Sequence, residues 1–149
     1  MLKDRLNSDL KQAMLARDAF VVETLRTVKG AISNEEVAKN TRETGIDDVS
    51  LEALLAREVK KREESAAFYD QGGNEEAAAK ERKEAELLRV YLPTQLSEDD
   101  VKNLIQNAIA ELGVENMSGM GQVIGAVKAK AGNSADGALV ARLTKELLG

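Results

Sequence analysis

Apolar residues recur every three or four positions along nearly the whole chain, with charged residues between them. Leu2, Leu6, Leu10 and Met14, four apart, predict an amphipathic helix running to about Arg17. Asp18 is suited to cap a second helix whose buried face is Phe20, Leu25, Val28 and Ile32, fading through Glu35, Glu36 and Asn40. Residues 40–49 read as a loop. Ser50 is then expected to cap a third helix with the stripe Leu51, Leu54, Leu55 and Val59, later Ala66 and Tyr69, ended by Gly72 and Gly73. Asn74 restarts the chain. A fourth helix, rich in Ala, Glu and Lys, turns apolar toward Ala85, Leu88, Tyr91 and Leu92 and stops at Pro93, the only proline.

Beyond Pro93 the charge density falls and glycine becomes more frequent, which marks a boundary between Pro93 and Leu96. Ser97, followed by Glu98, Asp99 and Asp100, opens a helix whose stripe is Val101, Leu104, Ile105, Ala108 and Leu112, with Gly113 as its C-cap. Ser118 is read as the cap of a helix through Val123, Ile124 and Val127 to about Ala131. A last helix carries Leu139, Val140, Leu143 and Leu147. The expected fold is all-α: N-terminal helical hairpins of about four helices over residues 1–93, then a small three-helix C-terminal domain over residues 94–149. A core that small supplies no more than roughly 3 to 5 kcal/mol unaided.

Composition narrows the chemistry. The 149 residues are 43% hydrophobic and 32% charged, the usage of a folded helical chain and not of a disordered one. No Cys and no His occur, so disulfides, thiolate metal sites and the commonest general base are all excluded. No apolar run approaches membrane-spanning length, and Met1 to Ala19 is charged every few residues and has no apolar signal region, so a cytoplasmic protein without membrane contact is expected. The net charge of −5 argues against indiscriminate nucleic-acid binding but leaves room for a local basic face.

Three stretches are candidates for binding. Arg57 to Glu64 is the densest basic cluster, with Lys60, Lys61 and Arg62 fanning over most of a helical turn; it could meet phosphates, or form a solvated face with pairs such as Glu58 to Arg62. Gly119-Met120-Gly121-Gln122-Val123-Ile124-Gly125 lacks the glycine spacing and preceding strand of a dinucleotide fingerprint. Its glycines either let another helix approach Gly121 and Gly125 closely, or sit at a helix start able to receive a phosphate. Gly132 to Gly137 joins two helices beside Lys128, Lys130, Arg142 and Lys145, which could make a basic edge or merely complement helix dipoles. No catalytic constellation, metal site, cofactor motif or Walker loop is present.

Taken together, Leu25-Arg26 with Lys29, Asn34 and Glu35; Arg57-Glu58-Val59-Lys60 with Arg62, Ser65 and Phe68; Tyr91-Leu92-Pro93 with Gln95-Leu96-Ser97; and Met120-Gly121, Val123, Gly125, Gly132 and Ala135-Asp136-Gly137 resemble the YqeY family over nearly the whole length. That family is related to the tail of GatB, a subunit of the tRNA-dependent amidotransferase. The resemblance implies a larger helical first half and a three-helix tail. It also implies tRNA contact by the tail, because in the amidotransferase the related domain meets tRNA while amidation takes place elsewhere. The label carbon–nitrogen ligase with glutamine as amide donor belongs to that larger enzyme. The chain departs from the family in having Asn133 and Ser134 where an Arg commonly follows the glycine.

The leading expectation is thus a non-catalytic accessory protein that contacts tRNA through Arg26, Lys29, Lys60, Arg62, Gly119, Gly121, Lys128, Lys130, Gly132, Asp136 and Gly137. Recognition would be by backbone shape and phosphate, given only four aromatic residues. The alternative is a protein-interaction adaptor using the helical hairpins, with the amidotransferase or another translation-related protein as partner; the sequence assigns no oligomeric state. An enzyme acting alone is the third and weakest reading.

Overall fold

The computed structural model describes residues 1–149 and contains seven α-helices, two 3₁₀ turns and no strand. The helices form two compact units, Met1–Leu92 and Pro93–Gly149.

The first unit holds α1 (Leu2–Leu15), α2 (Ala19–Ala38), α3 (Asp48–Gln71) and α4 (Glu75–Arg89). Side-chain oxygens of Asp18 and Asn74 accept from the backbone N–H groups of Val21 and Ala77, so these residues cap α2 and α4 as their positions suggest. The start of α3 differs from expectation. Asp47 is the cap and accepts from the Ser50 N–H at 2.7 Å, which places Ser50 inside the first turn. That same bond holds the Asp47 carboxyl below its ordinary range. At the other end of the hairpin, α4 stops at Arg89 and a turn carries the chain through Leu92, ahead of Pro93.

Three ion pairs join the antiparallel helices α3 and α4: Arg62 with Glu84, Asp70 with Arg82, and Glu63 with Arg89. Leu51, Leu55 and Leu88 are completely buried, and Leu25, Val28 and Ile32 of α2 and Leu6 and Leu10 of α1 complete the same core. Farther along the hairpin, Ala66 and Ala78 are buried outside that core, so small side chains alone line this part of the seam. Phe20, half-buried beneath the Lys83 ammonium 4.4 Å from its ring centroid, also lies outside it, as do two further periodic positions. Met14 is 49% and Tyr69 38% exposed, because each falls beyond the stretch its partner helices cover.

Polar contacts tie α1 to the rest. The Tyr91 hydroxyl donates to Asp9 at 2.5 Å while the Arg5 guanidinium lies 4.7 Å from the Tyr91 ring centroid; burial, then the Asp9 bond, raises the Tyr91 pKa. Lys3 donates to Glu36 at 2.5 Å, and Glu36 also accepts from the Ile46 N–H at 3.0 Å, closing the loop that precedes α3. The Lys3 bond, reinforced by the Ile46 N–H, holds the Glu36 carboxyl below its usual range.

The second unit contains α5 (Glu98–Leu112), a 3₁₀ turn (Met117–Gly119), α6 (Met120–Ala131), a second 3₁₀ turn (Gly132–Ser134) and α7 (Gly137–Leu148). Ser97 caps α5, and Gly113 ends it in the left-handed conformation at φ 66°. Asn116, and not Ser118, caps the first 3₁₀ turn, and α6 begins only at Met120. Val101, Ile105, Val123, Val127, Val140 and Leu143 form the core, whereas Leu112, at the end of its stripe, is 46% exposed. The buried Thr144 hydroxyl is satisfied by the Val140 carbonyl at 2.7 Å. The segment before α5 is held to the second 3₁₀ turn by Leu96 N–H to the Ser134 carbonyl at 2.8 Å and Gln95 Nε2 to the Asn133 carbonyl at 2.9 Å. No helix is long and apolar enough to cross a membrane.

Two measurements follow. Leu88→Ala should cost about 3 kcal/mol in urea unfolding, since it empties the middle of the first core. Because the Glu36 carboxyl is lowered by folding, its contribution is complete above the unfolded pKa of about 4.3 and disappears as pH falls through the lower folded value. The urea midpoint of Glu36→Gln should therefore fall less steeply on acidification than that of the unmodified chain.

Candidate nucleic-acid interface

The sequence-predicted phosphate contacts do not share one environment. On α2, Arg26 and Lys29 are three residues apart, exposed, and engage no carboxylate of the chain. Lys60 on α3 is exposed as well. Arg62 is different: it is 6% exposed, bonded through Nη1 to Glu58 Oε2 at 2.6 Å and to the Glu58 carbonyl at 3.1 Å, and through Nε to Glu84 at 3.2 Å. A guanidinium held by two carboxylates in a helix seam is not offered to solvent phosphate. Its work is to fix the register of α3 on α4, whereas Lys60 and Lys61 of the same cluster stay exposed.

In the second unit, Lys128 is exposed at the last turn of α6 and makes no ion pair, while Lys130 lies 3.5 Å from Glu111. Arg142 is engaged by both Glu98 and Glu146, which raise its pKa. The basic edge is therefore partly neutralised from within. Asp136 accepts from the Ala138 N–H and caps α7, and Gly137 is the first residue of that helix. Gly132 ends α6 at φ 55°, a conformation that side chains seldom adopt.

The glycines of 119–125 divide unexpectedly. A Cβ at Gly121 or Gly125 would meet nothing within 4 Å, so neither is there to admit a neighbouring helix. At Gly119 an added Cβ would lie 2.3 Å from Val114 Cγ1 and 2.8 Å from Cγ2. Gly119 is thus the position where the backbone passes too close to a branched side chain for any residue but glycine. Nothing in the local spacing distinguishes it from Gly121, since its neighbour comes from the loop after α5.

No group of three or more Asp or Glu is disposed to hold a cation. What the two units present is exposed helix faces, open grooves and isolated cations. These features define an all-helical, two-unit protein whose candidate interfaces are surfaces. The chain belongs to the YqeY family, whose description, Yqey-like protein, matches residues 3–148.

Curated relatives share the name altered inheritance of mitochondria protein 41, mitochondrial. The chain is 33% identical to the one from Vanderwaltozyma polyspora over 58% of this chain and 46% of that protein. It is 26% identical to that of Clavispora lusitaniae over 74% of this chain and 64% of the relative. Against the protein of Pyrenophora tritici-repentis it is 26% identical over 97% of this chain and 80% of the relative. The chain spans about half the length of the first of these and less than two thirds of the second.

The contrast between glycines is testable by unfolding. Gly119→Ala should destabilise the chain by about 1 to 3 kcal/mol through overpacking, and adding Val114→Ala should recover part of the loss. Gly121→Ala, in open space on a helix, should be neutral or stabilise by up to about 1 kcal/mol.

Proposed function

We propose that this chain is a non-catalytic accessory protein that binds the tRNA backbone. The observation that carries the reading is the pair of exposed, carboxylate-free cations Arg26 and Lys29 on one face of α2. Lys60, and Lys128 with Lys130 and the Gly119 to Gly121 and Gly132 to Gly137 segments of the second unit, are the additional contacts proposed. Arg62 is left out of this surface because its guanidinium is spoken for. Such sites bind by counterion release and backbone geometry, and with four aromatic residues in the chain base stacking contributes little.

The kinship of the family with the tRNA-contacting tail of the amidotransferase supports the same reading. The ligase label attached to that larger enzyme is not carried over into this proposal, since without His or Cys the chain lacks the commonest general base and the thiol nucleophile. The compartment proposed is the cytoplasm, where a tRNA pool is at hand.

A second reading, a protein-interaction adaptor, draws on a separate observation. Phe68 is 77% exposed on α3, beside the half-exposed Tyr69. A nuclease-treated pull-down distinguishes the two, since an adaptor keeps its partner after RNA is destroyed.

Gel-shift titration of total tRNA is the test. Binding should be clear at low salt and fall steeply with added salt. Arg26→Glu combined with Lys29→Glu should weaken it at least about tenfold and reduce the slope of log affinity against log salt by about one unit per lost contact. The same exchange at the exposed Lys11 should do less. No shift at low salt removes the proposal.

A further inference from the structure

The second unit has an open groove that shares only Lys130 and Ser134 with the surface proposed above. It runs beside α5 and the end of α6, with a volume near 560 Å³, and is lined by Leu96, Asp100, Asn103, Leu104, Asn107 and Lys130, with Ala131 and Ser134 completing the far wall. Leu96 and Leu104, both half-buried, supply apolar lining. The side chains of Asn103 and Asn107 are exposed and make no hydrogen bond within the chain.

The direction of the groove follows from known contacts. Leu96 is bonded to Ser134, so Ser134 lies at the end nearest the start of α5, where Asp100 stands among Glu98 and Asp99. Lys130 reaches Glu111, so it marks the opposite end, toward the close of α5. One end is thus acidic and the other carries a cation. The Lys130–Glu111 contact at 3.5 Å joins two side chains more than half exposed, and a pair of that kind is readily exchanged for another carboxylate.

Asn103 and Asn107 are one helical turn apart, which sets their Cβ atoms about 6 Å from each other. An extended peptide repeats every two residues, about 6.7 Å. Each carboxamide has donors and an acceptor, the complement of a peptide unit, so two of them at this spacing can engage alternate peptide units of one extended strand. The stretch from Asp100 to Asn107 is about 10 Å long, the span of three extended residues. We propose that this groove binds an extended peptide segment. The two asparagines hold its backbone, Leu96 and Leu104 receive an apolar side chain, a basic residue faces Asp100 and a carboxylate faces Lys130. The peptide site does not rest on the tRNA reading, but Lys130 belongs to both surfaces, so the two ligands compete at that end of the groove.

The test uses the full chain, ¹⁵N-labelled, titrated with two hexapeptides that share a central leucine but carry lysine and glutamate in opposite orders. The expected result is movement of the Asn103 and Asn107 side-chain NH₂ resonances with both peptides, and about tenfold tighter binding of one charge order. Asn103→Ala with Asn107→Ala should weaken that binding about tenfold, matching the loss of two net hydrogen bonds, while the urea midpoint is not lowered, since Ala is the better helix former. Replacing Lys130 by Glu leaves an acid at both ends and should abolish the preference for either order. A single-stranded RNA hexamer serves as the other arm. Absence of resonance shifts with either peptide, indifference to the asparagine changes, or shifts at these amides with the RNA hexamer alone would each overturn the proposal.

Discussion

The first unit depends on the seam between α3 and α4, and within that seam on one buried guanidinium. Arg62 draws a carboxylate from its own helix, Glu58, and one from the facing helix, Glu84. Helix seams lined by leucine and alanine can slide by a turn at little cost, since one apolar side chain substitutes for another. A buried charge cannot slide, because leaving its partners behind strands it in a medium that penalises unpaired ions by several kcal/mol. The leucines supply the driving force and Arg62 supplies the register. Core residues of α1 and α2 then pack on a surface whose alignment is already set.

This arrangement explains how cations of one sequence family pattern divide into different jobs. Arg62 faces the seam and is used up in packing, while Arg26 and Lys29 on α2 point away from the core and stay available. In the second unit the same division recurs more softly: Arg142 and Lys130 meet acids of neighbouring helices, and Lys128 does not. An acidic chain can in this way display a few unneutralised positive points. Those points, and not net charge, decide where a polyanion can settle.

Much of the fold could be read from the residues because helix ends here are written in local chemistry. Asp18, Asn74, Ser97 and Gly113 each act where their type and position suggest. Ser50 did not, since Asp47 and Ser50 are both competent caps three residues apart and only the backbone path selects between them. Met14, Tyr69 and Leu112 continue apolar stripes past the reach of any partner helix, a fact that periodicity within one helix cannot contain. The candidate site was less legible. Arg62 with Glu58 has the spacing of an ordinary surface pair, and the carboxylate that buries it, Glu84, is 22 residues away. Gly119 is constrained by Val114 across a turn, whereas Gly121, equal to it in sequence terms, is unconstrained.

The central claim is that α2 presents its cations to a polyanion while the α3–α4 seam stays closed. Chemical-shift mapping of the backbone amides and arginine Nε–H groups of the full chain at low salt, with and without tRNA, tests this most directly. The account predicts shifts at Arg26 and Lys29 with the Arg62 guanidinium resonance unmoved. Displacement of the Arg62 signal, or an α2 indifferent to tRNA, would contradict it.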